Sequence, residues 1–391
     1  MKTNSPISDA EMTRRWNAAR RVMDDLGLDV LLMQAREDWM GGSVRWFTDI
    51  PANNGYPRTV LFHRDRPMTV IEMGAFGADR ILRDDPVHRG VGRVLGTPSF
   101  VTIAYTMRYD ADLTMTALRE AGARRVGLLA PGGLPHSLMQ ALSDPGAGLD
   151  LVDATDAIDA IRAIKSTEEI ELIRATAHLQ DRVFEEVCDF ISPGVSDRDV
   201  AAHAESVARR LGSDQGIFLG LSAPQGEPSR FFNRPFQTRT LAAGDHFSLL
   251  IEINGPGGIY LEIARTMTLG PASDLVLESF EKVRQAQVHT LSLLKPGARP
   301  ADIAESHDAW MRDHGLPPEI RLYAHGQGCD MVERPLIRHD ETMPLAENML
   351  LAVHPGYDDG RVFAVICDNY LVGATAPHAC LHKTDKKVFE L

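Results

Sequence analysis

The sequence predicts two units of different class: an α/β unit over residues 1–160, then an α+β unit over residues 161–391. Three observations carry this. Short apolar runs alternate with turns and helical stretches over the first 155 residues or so. A long amphipathic helix then begins near residue 162. The second half repeats itself at an offset of 103 residues. A chain of 391 residues also exceeds one ordinary domain of about 100–200 residues.

In the first unit, Ser8 or Asp9 caps a helix whose Met12, Trp16, Ala19, Met23 and Leu26 share a face, and Gly27 ends it. LDVLLM (28–33) reads as a buried strand. TVLFH (59–63) and MTVIE (68–72) read as a hairpin-like pair, and RVGLLA (125–130) and LDLVD (149–153) as two more strands. Helical stretches are expected near 75–83 and 110–121. WMGGSVRWFTDIPANNGYPR (39–58) reads as a loop.

In the second unit, Ile170, Ile173, Ala177, Val183 and Phe184 give the long helix its apolar stripe. ISPGVSDRDVAAHAESVARRLG (191–212) aligns without gaps to LKPGARPADIAESHDAWMRDHG (294–315). Each copy follows a long helix and precedes strand-rich sequence. A duplicated half-domain with a pocket at its pseudo-twofold axis follows from this.

Composition excludes several function classes. The chain is 44% hydrophobic and 24% charged, enough apolar material for a packed core. Its formal charge of −13, without a long basic run, disfavours nucleic acid and anionic membranes as partners. Cys188, Cys329, Cys367 and Cys380 are too few for a disulfide scaffold and point to the cytoplasm. The first residues lack a signal-peptide core, and no run of about 18 apolar residues exists to span a membrane. GPGG (255–258) is a turn, not a phosphate loop, because no Lys-Ser/Thr follows at the required spacing. His246 and His339 read as surface residues.

RAIKSTEEIELIR (162–174), the two Pro-Gly helix units, GDHFSLLIEINGPGGIYLEIARTMTLG (244–270) and AHGQGCDMVERPL (324–336) together resemble one superfamily. It contains creatinase, Xaa-Pro aminopeptidase and methionine aminopeptidase (M24-like, pita-bread fold). The resemblance implies a creatinase-like N-terminal α/β domain, a pseudo-twofold pita-bread domain and a homodimer. In the superfamily the N-terminal domain lies over the partner's pocket. Residues 39–58 are then a candidate lid, with Trp46, Arg45 and Arg58 as substrate contacts.

The metallopeptidases of this superfamily hold two metals with Asp, Asp, His, Glu and Glu, whereas creatinase uses a His and glutamates without metal. The D-x-x-R-T arginine is Arg265 here, so its aspartate becomes Glu262. Eleven residues earlier stands Ile251, which binds no metal; Glu252 is one residue on, pointing to the other face. The metal histidine is kept as His325. The two late glutamates become His354 and Cys367. The second peptidase histidine is Val332, and the following glutamate survives as Glu333. The creatinase histidine becomes Asn233, and its glutamates become Ala264 and His354.

The resemblance therefore implies neither known mechanism intact. Glu262, His325, His354 and Cys367 are metal-capable and stand around one of the two metal positions. One divalent ion, Zn or Fe, fits such a set. A metal-free acid/base or thiol site built on the same residues is the alternative, and a binding relic is the third. Catalytic candidates are Glu262, His325, His354, Cys367 and Glu333. Substrate-binding candidates are Asn233, Tyr260, Arg334, Trp46 and Arg45. The expected activity is a creatinase-like hydrolase of a C–N or amide bond in a small polar amino-acid-derived compound. A lyase of the same fold and an inactive homologue stand as alternatives. A dinuclear aminopeptidase is disfavoured by Ile251 and Val332.

Overall fold

The computed structural model describes residues 7–37, 39–374 and 379–391. The chain divides into two compact units, Met1–Arg162 and Ala163–Leu391.

The first unit opens on α1 (Asp9–Leu26), capped by the Ser8 hydroxyl accepting from the Glu11 N–H and ended by Gly27 at φ 65°. Met12, Ala19 and Met23 are buried on its inner face, as their spacing predicts. There follow β1 (Val30–Ala35), α2 (Gly42–Thr48), β2 (Arg58–His63), β3 (Met68–Glu72), β4 (Ala78–Ile81) and β5 (Val91–Gly96). Then come α3 (Tyr109–Glu120), β6 (Arg125–Leu128), α4 (His136–Leu142), β7 (Asp150–Asp153) and α5 (Thr155–Ala163). The seven strands form one mixed sheet in the order β4-β5-β3-β2-β1-β6-β7.

Two expectations fail in this unit. The stretch near 75–83 is no helix, because Gly77 turns at φ 76° and β4 pairs antiparallel with β5. An Asp79–Arg93 ion pair of 2.8 Å ties that edge strand across. The segment 39–58 is not all loop, because α2 buries Val44, Trp46 and Phe47.

The second unit begins with α6 (Thr167–Phe190), started by a reciprocal capping box between Ser166 and Glu169. It continues with α7 (Asp197–Arg210), β8 (Gly216–Pro224), β9 (Asp245–Asn254), β10 (Tyr260–Thr268), α8 (Asp274–Leu293) and α9 (Pro300–Asp313). The rest is strand: β11 (Ala324–Gly326), β12 (Glu333–Leu336), β13 (Leu350–Val353), β14 (Gly356–Asp358), β15 (Phe363–Val365), β16 (Asp368–Leu371) and β17 (Phe389–Glu390). The repeat is visible in the helices: α7 and α9 each have 14 residues and start at 197 and 300, 103 apart.

Two four-stranded sheets result, β17-β10-β9-β8 and β12-β11-β13-β16. They meet where Ala264 of β10 and Cys367, just before β16, exchange backbone hydrogen bonds of 3.2 and 3.3 Å. One face of the first sheet packs Leu249, Ile251, Ile253 and Ile263 against Val183, Phe184 and Val187 of α6 and against α7. The other face carries the site. No helix among the described residues is long and apolar enough to cross a membrane.

Candidate functional site

The β9–β10 pairing sets the site's first wall. Glu262 lies directly across from Glu252, and Ile263 from Ile251. Directly opposed residues share a sheet face, and alternate residues along a strand face the same way. Glu252, Glu262 and Tyr260 therefore share one face, while Ile251 faces the helices. The sequence reading put Glu252 away from Ile251 correctly, but did not see that this sets it beside Glu262.

The second sheet brings the histidines. His325 sits in the middle of β11 and His354 just beyond β13, and their rings meet edge to face at 5.2 Å. Glu262 Oε1 is 3.3 Å from His354 Nε2 and 3.7 Å from His325 Nε2. The ligand-capable atoms of the three side chains lie within 4.8 Å of one another. Glu262 Oε1 and His354 Nε2 are buried and make no hydrogen bond. Such atoms are costly unless a cation or water occupies the space between them.

The surroundings fix these groups. His325 Nδ1 lies 2.9 Å from the Gly326 carbonyl, so it donates there and Nε2 is the nitrogen turned to Glu262. Burial and the nearby His325 and Arg321 hold His354 down to about 4 against the pull of Glu262, so its imidazole is neutral at pH 7. The Glu262 N–H donates to Asn369 Oδ1 at 2.8 Å. Asn369 donates to Gln327 at 2.7 Å, and Gln327 donates to Glu252 Oε1 at 2.9 Å. Burial, with Glu262 opposite, pushes the Glu252 carboxyl well above the usual carboxylate range. Glu252, Gln327 and Asn369 were missed from the sequence. Counting the register through the GPGG turn would have found Glu252, but no local pattern marks the other two.

The remaining candidates are placed as follows. Cys367 is fully buried, and its thiol donates to the Glu262 carbonyl at 3.5 Å. It packs with Leu250 and Ala264 and stands outside the three-residue group. Burial and the nearby Glu262 push its thiol well above its ordinary value. Cys367, expected as a fourth ligand or nucleophile, thus lies beside the group that Glu262, His325 and His354 form, with its Sγ turned to a backbone carbonyl. Glu333 is buried in a 2.9 Å ion pair with Lys165. Arg334 is clasped by Glu341 and Thr342. Asn233 is exposed at the start of a short 3-10 turn. Tyr260 is wholly buried on the Glu262 face. Arg45 and Trp46 belong to α2 of the first unit and are 4% and 2% exposed. Trp46 packs against Phe47 and Arg15, and Arg58 pairs with Glu72 at 2.9 Å. His246, expected at the surface, is buried with Nε2 at 2.8 Å from the Glu227 carbonyl.

Asp368, Cys380 and His382 form a second metal-capable group among the described residues. Asp368 already pairs with the buried Arg265 at 2.7 Å and lies 3.6 Å from Lys386 Nζ. Two cations beside one carboxylate leave little attraction for a third. Arg265 thus serves to hold Asp368 in place.

Residues 171–374 match metallopeptidase family M24, just over half of the chain. The chain belongs to that family. It is similar to the probable dipeptidase PepE of Mycobacterium tuberculosis strain H37Rv, at 28% identity over 227 residues. That match covers 55% of this chain and 58% of the relative, so the chain spans under two thirds of that relative's length. Creatinase of Bacillus sp. strain B-0618 is 27% identical over 380 residues, covering 91% of this chain and 83% of the relative. Among solved structures, the Xaa-Pro dipeptidase from Bacillus anthracis superposes with a TM-score of 0.76 at 19% identity, covering 97% of this chain and all of that one. The last likeness shows the fold: both units follow the pita-bread M24 proteins.

Proposed function

We propose that this M24 protein is a hydrolase that holds one divalent metal ion with Glu262, His325 and His354 and cleaves a C–N or amide bond. The observation that carries the reading is the convergence of three buried ligand atoms within 4.8 Å, two of them without a hydrogen bond. One carboxylate and two imidazoles suit zinc or ferrous iron, with a coordination position left open. Such an ion supplies Lewis acidity to a water or a carbonyl.

The chain's own groups do the rest. Gly326 holds the His325 tautomer through Nδ1, and Asn369 orients the strand segment that bears Glu262. Glu252 accepts from Gln327 on Oε1 and stands across from Glu262, and burial beside that second carboxylate makes it hold a proton more strongly. That proton is placed to reach a leaving amine. The creatinase likeness, which runs over 91% of the chain, supports a small amino-acid-derived substrate. A homodimer acting in the cytoplasm belongs to the same reading, and a monomer by light scattering would remove that part.

Metal analysis tests the core of it. Purified protein is expected to hold about one zinc or iron per chain, and His325→Ala or His354→Ala to hold none. Metal-free protein that still turns over an amide substrate would move the chemistry to acid/base action of His354 and the glutamates.

A further inference from the structure

The side of the site next to Glu262 is apolar. On the site face of the first sheet, the positions flanking the glutamates are Leu250 in β9 and Ala264 in β10. With Cys367 they form a small cluster separate from the helix-side core, and Leu219 and Phe231 pack against it. The cluster touches the ligand residues directly, because Cys367 bonds to the Glu262 carbonyl. It also reaches the histidine side. Phe231 packs edge to face on Phe363 at 5.1 Å, and Arg321 lies over Phe363 while donating to the His354 carbonyl at 3.2 Å. Leu219 and Phe231 stay partly exposed, whereas Leu249, Ile251, Ile253 and Ile263 on the helix side are buried.

We infer that Leu219, Phe231, Leu250, Ala264 and Cys367 form the specificity wall of this site, and that the substrate presents an uncharged, apolar group next to the bond that reacts. The inference rests on the single-metal reading above. A charged substituent would lose its hydration against this wall and gain no partner. An aliphatic substituent gains about fourfold in affinity for each methylene it buries. The wall thus selects within the amino-acid-derived class, away from acidic or basic side chains.

The test uses metal-loaded protein and three hydroxamates that share one metal-binding head: acetohydroxamate, 3-methylbutanohydroxamate and succinic monohydroxamate. Affinities are read by calorimetry. The branched compound should bind at least about tenfold more tightly than the other two. Leu219→Asn and Phe231→Ala should each reduce that preference to about threefold or less. Both residues are partly exposed, and melting temperatures confirm that the variants fold. Metal-loaded protein with equal affinities, or with a preference for the succinyl compound, overturns the inference alone. Protein that holds no metal and binds no hydroxamate overturns the single-metal reading and takes the inference with it.

Discussion

Cys367 shows how far residue type alone carries a site. A thiol in place of a carboxylate reads as a ligand because both bind metals. The fold turns its Sγ toward the Glu262 carbonyl and surrounds it with Leu250 and Ala264, where burial keeps the proton on sulfur. Cys367→Ala is therefore expected to keep its metal in full and to cost about 1–2 kcal/mol for the small cavity, read from metal content and urea denaturation. Loss of the metal from that variant would restore the thiolate as a ligand. Glu262, His325 and His354 behave differently, because their ligand atoms converge within 4.8 Å of one another and two of them are buried without a hydrogen bond. Those three were legible in the sequence through motif positions. Glu252 was legible only in part, because its face follows from a cross-strand register that the length of the turn decides.

At the scale of elements, local chemistry and long-range packing divide the work. The long helix α6 starts where Ser166 and Glu169 cap each other, a pattern readable in four letters of sequence. Ser166→Ala is expected to cost about 1 kcal/mol, lowering the melting temperature by about 2–4 °C with the site's metal affinity unchanged. A shift below 0.5 °C would show that the helix start is held by packing instead. In the middle of the same helix, Gln180 donates to the backbone carbonyls of Ile251 and Leu261, with Nε2 at 3.2 Å from the first. It thus fastens the helix to both strands that carry the site glutamates. No periodicity marks that role, because a lone glutamine on a helix usually faces water. The same limit explains the strand at 78–81 and the helix at 42–48. Both are short, and their pairing or burial partners are distant in sequence.

At the scale of the molecule, separate apolar clusters support the sheets, and one encloses an ionisable group away from the site. His307 is wholly buried, bonded through Nδ1 to Thr290 at 3.1 Å and stacked on Tyr323 at 3.8 Å. Burial lowers it from 6.5 to about 4. The folded chain therefore binds fewer protons than the unfolded chain between these values. Its contribution is intact above pH 6.5 and is lost as the pH falls toward 4, up to about 3 kcal/mol. His307→Gln should flatten that part of a stability-against-pH curve, and an unchanged curve would sink the assignment. The sequence by itself determined the two fold classes, the duplicated helix–sheet units and four metal-capable positions, because periodicity, turn chemistry and motif spacing are local and survive as strings. The tertiary structure alone decided which of the metal-capable residues converge, that Glu252 stands beside Glu262, and that one side of the site is apolar. The Glu252–Glu262 pair depends on the register of the β9–β10 hairpin, and the other outcomes on where two sheets meet, which is set by contacts such as Ala264–Cys367 about a hundred positions apart.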